Sequence, residues 1–370
     1  MKELKNIFEK YAQIKETNHI SAALVTVVRV EGSSYRRTGA RMLVCDDGTW
    51  VGGISGGCLE GDALKRAKVA ILKKSPSLIS YDTIKDDDHQ IGVGLGCNGI
   101  IDVIFVPIDF LDFFNPIEQL IRISTSKDNK KVAITVCKTP ENSILWGSII
   151  SLKDEKVLNQ LGEYLDVFSF MTSIHGLEKS KNMVFKNGLQ LFVELIPKPI
   201  HIFLMGHQYD LYPLISLIKE LSWNFNIVAE PLKVKSLERG VCISNDDFDL
   251  DKLEENSAII VMSHSLETDK MNLLKIKNCK AKYIGMLGPK VRSERIINEL
   301  LTEGHFIEPQ FLEKIYAPVG LDLGAQTPEE IALSIVAEIR AVFSNRLGES
   351  LRKRALPIDR KSTRLNSSHQ

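Results

Sequence analysis

The 370-residue sequence predicts an α/β protein in which an N-terminal α+β domain spans 1–196 and a Rossmann-like parallel-sheet domain spans 199–347. Three observations carry this. Short β-branched runs dominate the first half, strand and helix patterns alternate strictly in the second, and Pro197-Lys198-Pro199 interrupts the pattern between them. Each proline pushes its predecessor away from helix and denies a sheet one donor, so the linker belongs there.

In the first half, Val25–Val30, Met42–Cys45, Ile100–Val106, Val132–Val136 and Leu189–Leu195 read as strands. Between them, Leu59, Ala63, Ala67, Ala70 and Ile71 fall on one face of a helix whose other face carries Lys and Arg. In the second half the predicted order is strand Ile200–Met205, helix Leu211–Leu221, strand Phe225–Ala229 and strand Ala258–Met262. A helix near Asp269–Ile276, strand Tyr283–Met286 and a helix over Val291–Leu301 follow. Thr327-Pro328-Glu329-Glu330 then supplies an N-cap, a first-turn proline and a glutamate three residues on, which starts a last helix. Residues 348–370 are basic and polar and read as a disordered or foreign tail.

Lys plus Arg and Asp plus Glu both number 47, so no summed field draws the chain to nucleic acid or anionic lipid. The charged N-terminus and the lack of any apolar run near ~18–20 residues predict a cytoplasmic protein with no membrane association. The six cysteines (45, 58, 97, 137, 242, 279) form no C-x-x-C pair or zinc pattern, so reduced thiols are the expectation.

The richest stretch for chemistry is Gly52-Gly53-Ile54-Ser55-Gly56-Gly57-Cys58-Leu59-Glu60. It runs from a strand through glycines into the amphipathic helix. Glycines at Gly53, Gly56 and Gly57 with Ser55 let backbone N–H groups approach an anion at a helix start. It is not a Walker loop, because no Lys-Ser or Lys-Thr follows. Cys58, placed at or near the first helical position, gains thiolate character from the helix dipole and could ligate a soft metal or attack sulfur. Buried packing is the competing role for that cysteine. Arg36 and Arg37, with Arg41, sit in the loop Ser33–Met42 and suit phosphate or oxo-anion recognition; solvated hairpin charges are the alternative.

A second cluster, Gly92–Gly99, holds Gly94, Gly96 and Cys97 and contains a literal G-x-G-x-x-G, but it precedes a strand instead of following one. It reads as a loop that could face the same ligand as Cys58, or as a bulged strand entry. His89, just before it, reads as a loop residue. In the second half the turn Leu204–Asp210 carries one glycine, Gly206, where a dinucleotide site wants three, which argues against tight NAD(P) binding. His207 and His264 follow strands and should lie on the carboxyl edge of the sheet, and Glu230 stands where a ribose-binding acid would be. The turn Gly320–Gln326 is already answered by Glu329 and Glu330.

Taken together these segments resemble the xanthine dehydrogenase accessory factor family, XdhC and CoxI. The resemblance rests on Gly32–Arg37 with Gly39–Met42, Gly53–Glu60, Gly94–Gly99, Tyr283–Gly288 and Ala317–Ala325 followed by Thr327–Ala332. It implies an XdhC/CoxI domain followed by a Rossmann domain. It also implies a cofactor chaperone without turnover of its own. Such a protein binds molybdenum cofactor (molybdopterin) as cargo, supports its sulfuration with a cysteine desulfurase and delivers it to a molybdenum hydroxylase apoenzyme. Cys58 would then be the thiolate that meets molybdenum or sulfur. The departure is Leu204-Met205-Gly206-His207, where the family commonly shows Gly-Ala-Gly-His. Two alternatives stay open: an NAD(P)-dependent oxidoreductase, and a thiol-based sulfur-relay or redox protein using Cys58 and Cys97. Paired domains of this kind often dimerise, which makes a homodimer the expectation.

Overall fold

The computed structural model describes residues 2–17, 19–32, 36–82, 99–141 and 143–353. The chain divides into two compact units, the first ending at Pro197 and the second beginning at Lys198.

Unit 1 opens with α1 (Lys2–Thr17), β1 (Ala22–Gly32), β2 (Arg41–Cys45), β3 (Trp50–Gly52), α2 (Glu60–Lys73), β4 (Ser77–Asp82) and β5 (Gly99–Pro107). The five strands form an antiparallel sheet in the order β3-β2-β1-β5-β4. Strand period two splits β1 between two cores. Ala22 and Leu24 face α1, where Leu4, Ile7, Tyr11 and Ile14 pack, and Ala23, Val25 and Val27 face Ala63, Ala67 and Ala70 of α2. Small alanines let α2 lie close on the sheet, which fixes the turn that precedes it.

The rest of unit 1 is α3 (Pro116–Thr125), β6 (Lys131–Lys138), β7 (Ile149–Ser151), α4 (Glu155–Leu161), α5 (Val167–His175), β8 (Lys181–Val184) and β9 (Gln190–Ile196). Its strands make a second antiparallel sheet, β7-β6-β9-β8. The two sheets of this unit meet through Val28, Ile104 and Val106 against Cys137 and Phe192.

Unit 2 runs β10 (His201–Met205), α6 (Leu211–Glu220), β11 (Asn224–Val228), β12 (Cys242–Ile243), β13 (Ser257–Val261), α7 (Leu266–Ile276) and β14 (Tyr283–Met286). It finishes with α8 (Lys290–Thr302), α9 (Pro309–Leu312), β15 (Ile315–Tyr316) and α10 (Pro328–Phe343). All six strands are parallel in the order β12-β11-β10-β13-β14-β15. Counted within the unit this is 3-2-1-4-5-6, the order of dinucleotide-binding folds, with its reversal between β10 and β13. One face is covered by α6 and α10, the other by α7 and α8.

One boundary differs from the sequence expectation. Helix α7 starts at Leu266, not near Asp269, because the Ser265 hydroxyl accepts from Thr268 N at 3.3 Å and caps it there. Cys58 stands in a bend two residues before α2, next to the N-cap position at Leu59 and so near the helix start. The last helix begins as its pattern predicts, with a reciprocal capping box between Thr327 and Glu330. Residues 344–348 continue past α10, and Gly348 lies close against Leu321; residues 354–370 of the expected tail lie outside the described residues.

Candidate functional site

The glycine turn of unit 1 is anchored at both ends. Gly53 N donates to Arg41 O at 2.9 Å, and Ile54 and Leu59 are buried. Gly52 takes φ +86°, and a Cβ there would lie 2.3 Å from Arg41 O, so the strand can leave the sheet at this point only as glycine.

Ser55 organises the turn. Its hydroxyl accepts from Gly57 N at 3.2 Å and Leu59 N at 3.0 Å, taking over the capping role that Leu59, the residue in the N-cap position, cannot fill. The hydroxyl donates in turn to the Glu60 carboxylate, which also accepts from Ser55 N at 2.8 Å. Burial works to raise the Glu60 pKa. The Ser55 hydroxyl and amide, with the amides of Glu60 and Gly57, outweigh it and hold the carboxyl below the usual carboxylate range. The anion position of this turn is therefore filled by the chain's own carboxylate.

Beyond that internal anion the surface is open. Gly56, Gly57 and Cys58 are exposed, and a Cβ at Gly57 (φ +111°) or at Gly61, in the first turn of α2, would meet nothing within 4 Å. The packing role considered for Cys58 thus does not apply. Cys45, Cys137 and Cys279 are the buried cysteines among the described residues, and burial pushes all three thiols up in pKa.

The arginines of the preceding loop divide. Arg41 is fully buried and makes a two-pronged ion pair with Glu194 of β9, Nη1 to Oε1 at 3.0 Å and Nη2 to Oε2. It joins the two sheets and is unavailable to a ligand. Arg36 pairs with Glu3 of α1, and Arg37 is exposed. Gly94, Gly96, Cys97 and His89 lie outside the described residues. A cleft of about 560 Å³ elsewhere in unit 1 is lined by Phe114, Arg122, Met171 and His175 and shares no residue with the turn. Two of its cations are already engaged, Lys130 with the carbonyls of Ile174 and His175 and Lys153 with Asp128 at 2.7 Å.

In unit 2, the strand ends Met205, Val228 and Val261 are in register, so the loops after β10, β11 and β13 open from one edge. Gly206 is required by the neighbouring loop, since a Cβ there would lie 2.3 Å from Met262 O. His207 is part-buried with its ring 3.5 Å from the Gln208 amide, and Glu230 is exposed beyond the end of β11. His264, with φ +63°, brings Nε2 to 2.7 Å from Asp210 Oδ2. Asp210 precedes α6 without capping it. Its charge there is unfavourable to the pyrophosphate that dinucleotide folds bind at the first helix.

Sequence reasoning missed three of these residues. An acid opening a helix after a serine-bearing glycine turn signals Glu60, and an uncapping acid after Gly206 signals Asp210. Nothing local signals Glu194, which stands 153 residues from its partner.

Residues 17–82 match the model of the XdhC and CoxI family, and residues 202–339 match that of the XdhC Rossmann domain. A Bacillus subtilis (strain 168) protein named as a probable xanthine dehydrogenase subunit is 28% identical over 337 residues, 86% of this chain and 92% of its own length. The Escherichia coli (strain K12) protein YqeB is 22% identical over 95% of this chain but only 49% of its own. A crystal structure from Bacillus halodurans, titled as a xanthine dehydrogenase, aligns with a TM-score of 0.65 at 23% identity, covering 93% of this chain and 98% of that one. At that identity the likeness speaks for the fold alone. Among the described residues, no helix is long and apolar enough to cross a membrane.

Proposed function

The chain belongs to the XdhC and CoxI family, and from that premise we propose that it is a maturation factor for a molybdenum hydroxylase of the xanthine dehydrogenase type. In this reading it holds molybdenum cofactor as cargo at the Gly53–Cys58 turn, keeps it while a cysteine desulfurase supplies the terminal sulfur, and passes it to the apoenzyme. The observation that carries the site is the exposed Cys58 thiol beside two glycines, Gly57 and Gly61, that face open space. Gly57 is held to glycine by its own backbone, φ +111°, whereas Gly61 is helical with nothing near it and so leaves the surface beside Cys58 clear for a ligand to approach the backbone.

The residues divide the work. Cys58 supplies a soft thiol that can meet molybdenum or sulfur as thiolate. Ser55 holds the amides of Gly57 and Leu59 in place. Glu60 occupies the amide cradle, so a cargo phosphate gains those amides only by displacing it. Arg36 and Arg37 lie on the loop between β1 and β2 and would meet the phosphate; Arg36 must leave Glu3 to do so.

The test is reconstitution of an apo molybdenum hydroxylase with cofactor in the presence of the full chain. Hydroxylase activity should rise with wild type and stay at the cofactor-only level with Cys58→Ser. Equal stimulation by both proteins would remove Cys58 from the role, and no stimulation by wild type would remove the maturation reading.

A further inference from the structure

The outer face of α2 carries charge of one sign. Gly61, Lys65, Lys68 and Leu72 recur at i, i+4, i+7 and i+11 and form a single exposed stripe. A solvated surface helix usually interleaves acids with its lysines at this spacing. Here the acids of α2, Glu60 and Asp62, are both spent inward. Glu60 accepts from the Ser55 amide, and Asp62 is held by Arg66 and accepts from the Tyr81 hydroxyl at 2.8 Å. Neither Lys65 nor Lys73 takes an ion pair among the described residues. Lys68 leans over the β2–β3 turn, its Nζ 3.7 Å from where a Cβ on Gly48 would stand, and is answered there in part by Asp47.

The same side of the unit exposes apolar surface that its cores do not use. Leu72 is 82% exposed and Val69 47%. On the edge strand β3, Trp50 is 51% exposed. Its cross-strand partner Val44 packs with the alanines of α2, so the indole stands on the side of the sheet that carries the helix. The turn that Lys68 crosses lies two residues before Trp50 and joins the indole to the stripe. Single exposed apolar residues are ordinary. Three of them sharing a face with unopposed cations have the make-up of an interface, with tryptophan as its anchor. At its N-terminal end this face runs into Gly57 and Cys58, both exposed.

Resting on the maturation reading above, we propose that Trp50, Lys65, Lys68, Val69 and Leu72 form the docking surface for the apoenzyme that takes the cargo, and that they fit an acidic patch with an apolar centre on that protein. Cargo passes from Cys58 without meeting water only if the recipient covers the turn, and the ground beside the turn is this face. The lysines complement the acidic rim and speed the encounter, while Trp50 and Leu72 supply the buried centre. A nucleic-acid backbone would use the lysines and leave the apolar side chains unmatched. The chain's balance of 47 cationic against 47 acidic residues adds no wider field to hold it at an anionic membrane.

The experiment titrates the cargo-free full chain with the apo molybdenum hydroxylase of the reconstitution assay, by biolayer interferometry at low and high salt. Wild type should bind, and more weakly as salt rises. The double reversal of Lys65→Glu with Lys68→Glu and, separately, Trp50→Ala should each weaken binding about ten-fold or more. Both lysines are exposed, so the double variant should melt as wild type does and serves if Trp50→Ala disturbs the edge strand. Lys280→Glu, at an exposed position of unit 2, should bind as wild type, and so should Cys58→Ser, because docking needs no thiol. The double variant should still retain cofactor by itself. Loss of retention by wild type would therefore remove the maturation reading, whereas failure of docking shows in the binding curves alone. The docking proposal is overturned if wild type does not bind the apoenzyme at micromolar concentration, or if the double variant and Trp50→Ala both bind as wild type does. It is overturned equally if duplex DNA or phosphatidylserine vesicles bind wild type as tightly as the apoenzyme.

Discussion

Both units lead a strand through glycine into a helix, yet they spend their glycines differently. After β3, Gly52 is demanded by the protein's own backbone, a would-be Cβ meeting Arg41 O at 2.3 Å, while Gly57 and Gly61 face nothing. After β10, Gly206 is demanded in the same way by Met262 O at 2.3 Å, and no further glycine stands in the turn. A glycine crowded by backbone reports on the fold. Gly57 is glycine for its backbone conformation, φ +111°, while helical Gly61 leaves open surface beside Cys58, and the turn after β10 has no glycine of that kind. Each turn also brings a carboxylate to its helix start, Glu60 bound by amides in one and Asp210 bound by a histidine in the other. The first arrangement mimics a bound anion and the second ties two strand-end loops together through one hydrogen bond.

The comparison breaks most severely at Arg41. Arg41→Met leaves Glu194 buried without its partner, and unfolding free energy should fall by about 3–5 kcal/mol in denaturant titration. A loss under about 1 kcal/mol would mean that the two sheets of unit 1 do not depend on this pair. Next in size, Gly52→Ala and Gly206→Ala should each cost about 1–3 kcal/mol by forcing a backbone shift. Neutral substitution at either would show that the crowding does not set the loop.

Gly61→Ala sharpens the contrast, because it should act in opposite directions on stability and function. With open space around it and a helical backbone, alanine should stabilise the unliganded protein by up to about 1 kcal/mol, read as a raised thermal midpoint. The same methyl should weaken cofactor retention if a ligand lies over that spot.

The smallest effect is one of pH. The Glu60 carboxyl is depressed in the folded state, so its contribution is present above the ordinary carboxylate pKa of about 4.3 and is lost as pH falls through the lower folded value. Wild type should therefore lose thermal stability faster than Glu60→Gln as pH is lowered below about 4.3. Parallel curves would show that the Ser55–Glu60 bonds contribute nothing.

Much of this was legible in the sequence. The strict alternation after Pro199 fixed the parallel sheet, and the Thr327–Glu330 pattern placed the start of α10. Helix α1 is absent from the expected elements, although its buried Leu4, Ile7, Tyr11 and Ile14 recur at helical spacing among the charges of the N-terminus. Short elements such as β7, β8 and β15 carry too few residues for any period to emerge. At the candidate site, residue types pointed to the Cys58 turn, but whether the thiol was exposed could not be read from neighbours that are mostly glycine. The duties of Arg41 and Asp210 depend on Glu194 and His264, which the fold alone brings near.

The most direct test of the central claim is retention of molybdenum cofactor by the purified full chain under anaerobic conditions, measured as molybdenum co-eluting with protein for wild type, Cys58→Ser, Gly61→Ala and His264→Asn. The account predicts near-stoichiometric retention by wild type and His264→Asn and loss in Cys58→Ser and Gly61→Ala. Retention by Cys58→Ser and Gly61→Ala with loss in His264→Asn would contradict it and move the cargo to the second unit.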